Sequence, residues 1–170
     1  MTATDRAREL AIAAAQAASD KVADDIVAYD VSDVFVITDA FVLASANSDR
    51  QVRAIVDGIE EKLLEIGAKP ARREGEQEGR WVLLDYIDIV VHVQHAEERT
   101  YYSLERLWKD CPLIELPESV TNGRSERPVG AVTTVAGRAG TEAEGSDEES
   151  GEESGEFGEF EDDPVGGPAE

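Results

Sequence analysis

The run from Trp81 to Trp108, WVLLDYIDIVVHVQHAEERTYYSLERLW, constrains the fold of this chain more than any other segment. Its first half is rich in β-branched and aromatic residues, which are typical of strands. We predict one strand over Trp81–Asp85 and a second over Ile87–Gln94. In the second strand, alternation assigns the side chains to opposite faces, with Ile89, Val91 and Val93 on one and Asp88, Val90, His92 and Gln94 on the other.

The second half of this run has helical spacing and predicts a helix from Ala96 to Lys109, ended by Cys111 and Pro112. One side of that helix carries Tyr101, Leu104, Leu107 and Trp108, and Tyr101, Leu104 and Trp108 are predicted to close the core. The other side carries Arg99, Tyr102, Arg106 and Lys109. Because Trp, Tyr and Arg are enriched at protein interfaces, Tyr102 and Arg106, one helical turn apart, are candidates for partner contact.

The chain before this run alternates between helical and strand patterns. The alanine-rich segment Thr4–Asp24 predicts a helix, and its thin apolar stripe predicts weak docking. The segments Ile26–Val31 and Val34–Ala46 predict strands, the second one kinked at Thr38 and Asp39. Ser48 and Gln51 form a capping box that opens the next helix.

That helix is predicted to end near Gly67, a residue that favours the left-handed conformation of a helix C-terminus, and Pro70 prevents its continuation. The polar segment Ala71–Arg80 predicts a short edge strand and a loop. The resulting order is helix, strand, strand, helix, short strand, strand, strand, helix. It predicts an α/β domain in which helices flank a mixed sheet of about five strands.

Charge divides the chain into two parts. Of 38 acidic and 16 basic residues, residues 119–170 hold 14 acidic and 3 basic ones, which is half of the formal net charge of -22. A segment with so little apolar character and so much charge of one sign cannot offset the entropy lost on ordering. We therefore predict a folded domain over 1–118 and a disordered acidic tail over 119–170. The acidic balance favours basic partners and repels the phosphates of nucleic acids.

Targeting signals and cysteine pairs are missing from the pattern. Cys111 is the only cysteine, so neither an internal disulfide nor a cysteine-based zinc cluster is expected. The first residues mix acids and bases and do not resemble a signal peptide. No apolar run approaches the roughly 18 residues of a membrane helix, so we expect a soluble, cytoplasmic protein without membrane contact.

An enzyme using Asp85 and Asp88 with magnesium is the alternative function. Nucleotidyl transfer needs carboxylates at alternating strand positions, and these two are separated by one residue more. A reversal at Tyr86–Ile87 leaves open whether they converge. His92 and His95 fall on opposite faces of a strand, and no phosphate-binding glycine motif occurs, so no catalytic residue, metal or cofactor is predicted.

Four segments, in order and with matching separations, resemble the Iojap-like ribosomal silencing factor family. They are DDIVAYDV (Asp24–Val31), ITDAFVLASANSDRQV (Ile37–Val52), WVLLDYIDIVVHV (Trp81–Val93) and YYSLERLW (Tyr101–Trp108). The resemblance spans about residues 5–110. It implies an α/β fold related to nucleotidyltransferases but without their active site.

The resemblance also implies a function. Proteins of this family bind the fourteenth protein of the large ribosomal subunit, block joining of the small subunit and so dampen translation when nutrients are scarce. The partner-binding features of the family map onto Trp81, Asp85, Tyr86, Asp88, Tyr102 and Arg106. No direct DNA binding is implied, and an exposed aromatic helix beside an open sheet edge makes a homodimer a further candidate assembly.

Overall fold

A five-stranded sheet flanked by helices forms the domain in the computed structural model, which describes residues 1–121. The elements follow the order α1 (Asp5–Asp20), β1 (Asp24–Asp30), β2 (Ala40–Ala46), α2 (Asp49–Glu65), β3 (Arg72–Glu74), β4 (Trp81–Asp85), β5 (Ile89–His95), α3 (Ala96–Tyr102), a 3₁₀ turn (Leu104–Arg106) and α4 (Glu118–Thr121). The strand order is β1-β2-β5-β4-β3, with β2 and β5 parallel and the other neighbours antiparallel. The predicted α/β class with a mixed sheet is confirmed.

Helices α1 and α2 cover one face of the sheet and enclose the main core. Leu10 of α1 is 2% exposed, and Ala7, Ala11, Ala14 and Ala18 are buried with it. Small alanine side chains let the helix backbone approach the sheet closely, so a thin apolar stripe is enough to bury this face. The prediction that α1 docks weakly was wrong for this reason.

Helix α2 follows its predicted signals. The Ser48 hydroxyl accepts a hydrogen bond from the Gln51 backbone N–H at 3.1 Å, as a helix N-cap does. The Gln51 side chain reaches back to accept the backbone N–H of Asn47 at 2.8 Å. Gly67 has a left-handed φ of 81° directly after the helix. The core face of α2 is formed by Val52, Ile55, Val56, Ile59 and Leu63.

The segment after α3 covers part of the other face of the sheet. Trp108 is 8% exposed and packs on Phe41 of β2 with a centroid distance of 4.4 Å. It also meets Tyr29 of β1 edge to face. This aromatic cluster covers β1 and β2, whereas β4 and β3 lie beyond it. The prediction that Trp108 belongs to the core is confirmed.

The helix predicted over 96–109 ends earlier, at Tyr102. Ser103 takes a left-handed conformation with φ 45°, and the chain changes direction before the 3₁₀ turn. Leu104 is consequently half-buried, Leu107 is 73% exposed and Tyr101 is 82% exposed. The prediction that Tyr101 closes the core was therefore wrong.

Strand β2 is shorter than the sequence pattern predicts, whereas β1 begins two residues earlier than predicted and ends one residue earlier. The Asp30 carboxylate accepts hydrogen bonds from the Ser32 backbone N–H and hydroxyl, which turns the chain after β1. Val36 and Ile37 then lie fully exposed in a loop, and β2 begins only at Ala40. Because several residues of this loop are apolar, the sequence pattern predicted a longer strand that began at Val34.

The predicted domain boundary at 118 falls inside structure. Helix α4 runs across it, Val120 is 5% exposed, and the Ser19 hydroxyl donates to the Ser119 carbonyl at 3.4 Å. The ordered domain therefore reaches at least Thr121. Residues 122–170, the rest of the predicted tail, lie outside the described residues. Among residues 1–121, no helix combines the length and apolar character of a membrane span.

Candidate functional site

Strand β4 presents one side to a region that α1 and α2 do not cover and that α3, among residues 1–121, borders only through Tyr102. Val82 and Leu84 point into the main core, so alternation turns Trp81, Leu83 and Asp85 to the opposite face. Val90 of β5 is the register partner of Asp85 on that face. Tyr102 of α3 lies against the Trp81 ring. We call Trp81, Leu83, Asp85, Val90 and Tyr102 the open face; its strand residues are half-buried and Tyr102 is exposed.

Trp81 is held in place by aromatic and polar contacts. Its indole N–H donates to His92 Nδ1 at 3.2 Å, and its ring lies 4.9 Å from that of Tyr102. His92 is 7% exposed and also packs against the rings of Phe41 and Trp108. Burial, assisted by the positive charge of Arg99, lowers the pKa of His92 to about 4. The imidazole is therefore neutral, and its Nδ1 can accept a hydrogen bond from the indole N–H of Trp81.

Two guanidinium groups fasten α3 to the sheet. Arg99, which the sequence pattern assigned to the outer side of the helix, is 7% exposed and donates to the Ser45 hydroxyl at 3.1 Å and to Glu105. Arg80 donates to Glu98 at 2.6 Å and to Glu97 at 2.5 Å. This bonding with Arg80 lowers the pKa of Glu98. Helix α3, which carries Tyr102, is thus held in place by Arg99 on one side and by Arg80 on the other.

The same contacts account for a small acidic cluster at the start of α3. His95, Glu97 and Glu98 place ligand-type atoms within 4.8 Å of one another. The guanidinium of Arg80 already supplies the positive charge that both carboxylates need. The cluster is therefore an ion-pair network that anchors the helix.

A tight turn joins β4 to β5 at the end of the open face. The Asp85 carboxylate accepts the backbone N–H of Ile87 at 2.8 Å and lies 3.4 Å from the Arg72 guanidinium. Asp88 is exposed on the turn, and its backbone N–H donates to the Tyr86 carbonyl at 2.9 Å. Both oxygens of Asp85 are thus engaged by protein groups, and this arrangement gives no support to a magnesium site shared with Asp88.

The structure brings some of the predicted partner-binding residues together and separates others. Trp81, Asp85 and Tyr102 belong to the open face, and Asp88 lies on the turn beside it. Tyr86 is 6% exposed and packs in the main core on the opposite side of the sheet. Its side chain offers almost no surface to a partner.

Arg106 lies apart for a different reason. The left-handed Ser103 breaks the helix, so Arg106 is not one turn beyond Tyr102 on a common face. It lines a groove of about 330 Å³ with Tyr29 of β1 and Lys109. Strands β2 and β5 separate this groove from β4.

Sequence reasoning missed Leu83, Val90 and Ile87. The alternation that identifies Val82 and Leu84 as core residues also places Leu83 beside Trp81, so this residue was recognisable. The reversal predicted at Tyr86–Ile87 is confirmed, with Ile87 at its tip and 63% exposed, but the sequence analysis did not identify this residue as part of the site.

Comparison with known proteins relates the chain to one family. The family model described as ribosomal silencing factor during starvation, RsfS, matches residues 4–142. A ribosomal silencing factor RsfS from Bacillus subtilis is 48% identical over 103 residues, which cover 61% of this chain and 87% of that protein. The chloroplastic protein Iojap of Zea mays is 33% identical over 110 residues, and the match covers 63% of this chain and 46% of Iojap.

Solved structures agree with the sequence comparison. A crystal structure from Chromobacterium violaceum has a TM-score of 0.58 at 36% identity and covers 59% of this chain and 84% of that one. Another from Bacillus halodurans has a TM-score of 0.56 at 38% identity, covering 66% of this chain and all of that one. The resemblance found in the sequence is confirmed, and this chain belongs to the RsfS family of ribosomal silencing factors.

Proposed function

We propose that this chain docks on the fourteenth protein of the large ribosomal subunit through its open face and sterically blocks joining of the small subunit. Translation in the cytoplasm then falls when nutrients are limiting. Membership of the RsfS family supports a ribosomal role. The observation that supports the surface is the Trp81–Tyr102 pair, which is held by the His92 hydrogen bond and borders sheet residues that are only half-buried within the described part of the chain.

The composition of the open face is that of a protein interface. Aromatic residues with little rotamer freedom contribute most to binding when they stand near the centre of a contact and are surrounded by apolar neighbours. Leu83 follows Trp81 on this face and Val90 lies further along it, opposite Asp85; both are half-buried in the free domain. A partner that covers them would complete the burial of this face.

Charge favours a basic protein as the partner. Residues 1–118 hold 24 acidic and 13 basic residues, and Asp85 and Asp88 lie on or beside the open face. Such a domain is attracted to a basic ribosomal protein and repelled by the phosphates of ribosomal RNA. Association with the large subunit is accordingly expected to weaken as salt concentration rises.

Inhibition by this mechanism needs no chemistry. A rigid domain bound at the subunit interface occupies volume that the small subunit requires, so the two bindings exclude each other. The enzymatic alternative, with magnesium held by Asp85 and Asp88, gains no support from the geometry because Asp85 caps the β4–β5 turn and pairs with Arg72.

A homodimer is a weaker proposal. The outer edge of β1 is occupied by the segment around Pro112, whose carbonyl accepts the Asp30 N–H at 2.8 Å. The other edge strand, β3, has only the charged residues Arg72, Arg73 and Glu74. Short and charged edges oppose pairing between sheets, so self-association would have to use the open face and would compete with the ribosomal partner.

Sedimentation of the purified chain with purified large subunits tests the proposal. We expect the unmodified chain to pellet with the subunit and Tyr102→Ala to pellet at least about tenfold more weakly. Leu64→Ala is the matched control, because Leu64 is an exposed apolar residue of α2 on the opposite side of the sheet. Absence of the unmodified chain from the pellet would contradict the proposed function.

A further inference from the structure

Ile87, at the tip of the β4–β5 turn, combines features that are each unfavourable. Its φ is 71°, a left-handed value that β-branched residues rarely adopt. The Asp88 N–H donates to the Tyr86 carbonyl at 2.9 Å, which makes Ile87 the centre of a γ-turn with positive φ, a strained turn type. Its side chain is 63% exposed although it is apolar. Glycine would satisfy the backbone and expose no apolar surface.

The neighbouring structure holds this turn in place. The Asp85 carboxylate accepts the Ile87 N–H at 2.8 Å, and the Tyr86 N–H donates to the Ile89 carbonyl at 2.9 Å. The Asp88 carbonyl accepts the Asp39 N–H at 2.9 Å and the Thr38 hydroxyl at 3.3 Å from the adjacent loop. A conformation restrained from both sides persists despite its strain, so Ile87 is presented in one fixed orientation.

The turn also continues the open face. Asp85 is the last residue of β4, and Val90 is the first open-face residue of β5. They flank the turn in sequence and are register partners. Asp88 carries an exposed acidic group beside the tip, whereas the Asp39 carboxylate accepts the Thr4 backbone N–H at 2.9 Å. Within residues 1–121, neither carboxylate has a Lys or Arg nitrogen within 4.0 Å, whereas Asp85 is paired with Arg72. The tip therefore presents an apolar side chain beside the Asp88 carboxylate, which is available to a basic partner.

We propose that Ile87 is an apolar anchor that enters a pocket of the bound protein, and that Asp85 is a positioning residue that holds the turn. The occupant of this surface is a protein with an apolar pocket bordered by Lys or Arg side chains. This inference rests on the proposed function, because it takes that occupant to be the ribosomal protein that the open face contacts. In this inference Asp85, which the sequence analysis assigned to partner contact, instead holds the turn that carries Ile87.

Val22 provides a matched control for backbone strain. It is also β-branched, has a φ of 61° and is 74% exposed in the turn between α1 and β1. The sheet register places that turn at the opposite end of the sheet, since Asp24 pairs with Ser45 whereas Ala40 pairs with Ile89. Replacing either residue by glycine relieves the same kind of strain, but only one replacement alters the tip beside the open face.

Binding and thermal unfolding of the full chain separate the two roles of Ile87. We expect Ile87→Gly and Val22→Gly each to raise the Tm by about 2–4 °C. We expect Ile87→Gly to weaken binding to purified large subunits by about tenfold or more, and Val22→Gly to change it less than about twofold. Unchanged binding by Ile87→Gly would overturn the inference. Failure of the unmodified chain to bind would instead overturn the proposed function.

Variants of Asp85 test its positioning role. Asp85→Asn keeps an oxygen that accepts the Ile87 N–H, so we expect it to retain most of the binding, whereas Asp85→Ala weakens it about as much as Ile87→Gly. In the double variant with Ile87→Gly, the effect of Asp85→Ala should largely disappear. Equal weakening by Asp85→Asn and Asp85→Ala, or full additivity in the double variant, would show that Asp85 acts through its own charge and would contradict the inference.

Discussion

Trp81 and Tyr102 lie with their ring centroids 4.9 Å apart and their planes inclined by 49°. The contact joins strand β4 to helix α3, two elements that no other aromatic pair connects within residues 1–121. The Trp81 indole N–H also donates a hydrogen bond to His92, whereas the side chain of Tyr102 is 52% exposed. Half-buried Trp81 fixes the position of the more exposed Tyr102, so Tyr102 is ordered before any partner binds.

Replacing Tyr102 should therefore affect binding more than folding. Because its side chain is half exposed, we expect Tyr102→Ala to change the free energy of unfolding by less than about 1 kcal/mol, while binding to large subunits weakens about tenfold or more. Arg106→Ala, in the groove beside Tyr29 of β1, should change affinity less than about twofold. Urea unfolding and sedimentation measure the two effects. Equal loss of affinity in both variants would show that the contact surface extends to β1.

Tyr86 should act through stability alone. Its hydroxyl is buried without a hydrogen-bond partner among the described protein atoms, and burial together with nearby Glu60 raises its pKa to about 12. Removing an unpartnered buried hydroxyl is favourable or neutral, so Tyr86→Phe should raise the free energy of unfolding by up to about 1 kcal/mol. Large-subunit binding should stay unchanged. A loss of binding in a stably folded Tyr86→Phe protein would restore Tyr86 to the contact surface.

Acid should destabilise the domain through His92. Its pKa is about 4 when folded, because of burial and then the charge of Arg99, and near 6.5 when unfolded. As pH falls, His92 is protonated in the unfolded state before it is protonated in the folded state. The stability that neutral His92 contributes is therefore complete above pH 6.5 and is lost as pH falls toward 4. Between pH 7 and 5 this amounts to about 2 kcal/mol.

Urea titrations at pH 7, 6 and 5 measure this dependence. His92→Gln removes the titrating group and keeps an oxygen that can accept the Trp81 indole N–H, so its stability should vary less over the same range. A mutant that loses as much stability as the unmodified protein would assign the acid sensitivity to other groups.

Two glycines with similar backbone angles should differ in their response to alanine. Gly75 has a φ of 83°, and a Cβ there would lie 1.9 Å from the Trp81 carbonyl oxygen. Gly67 has a φ of 81° with nothing within 4 Å of such an atom. We expect Gly67→Ala to lower the free energy of unfolding by about 1 kcal/mol and Gly75→Ala by more than about 2 kcal/mol.

The same pair connects stability to the site. A clash with Trp81 displaces the first residue of β4, so Gly75→Ala should also weaken binding to large subunits, whereas Gly67→Ala should not. Denaturant midpoints and sedimentation report the two quantities. Similar destabilisation by the two substitutions would mean that the β3–β4 hairpin relaxes without moving Trp81.

Elements with strong local signals were predictable from the sequence. Ser48 and Gln51 fix the start of α2, and Gly67 with Pro70 fixes its end. Strand β4 begins and ends where alternation predicted. In these segments the local preference and the tertiary packing agree, and four family-like segments placed the chain correctly.

The departures arise where a single backbone angle redirects the chain. A left-handed Ser103 ends α3, exposes Tyr101 and moves Arg106 away from Tyr102, and nothing in the residue type of serine announces that angle. The left-handed Ile87 likewise contradicts the preference of β-branched residues. Arg99 is buried because it finds Ser45 and Glu105, which only the folded sheet brings within reach.

Inhibition of subunit joining tests the central claim most directly. Purified large subunits are incubated with the chain at increasing concentration, small subunits are added, and joined ribosomes are measured by light scattering or on a sucrose gradient. The account predicts a dose-dependent fall in joined ribosomes with the unmodified chain and with Leu64→Ala, and at least about tenfold more protein required with Tyr102→Ala. Undiminished joining at concentrations that saturate the large subunit would contradict it.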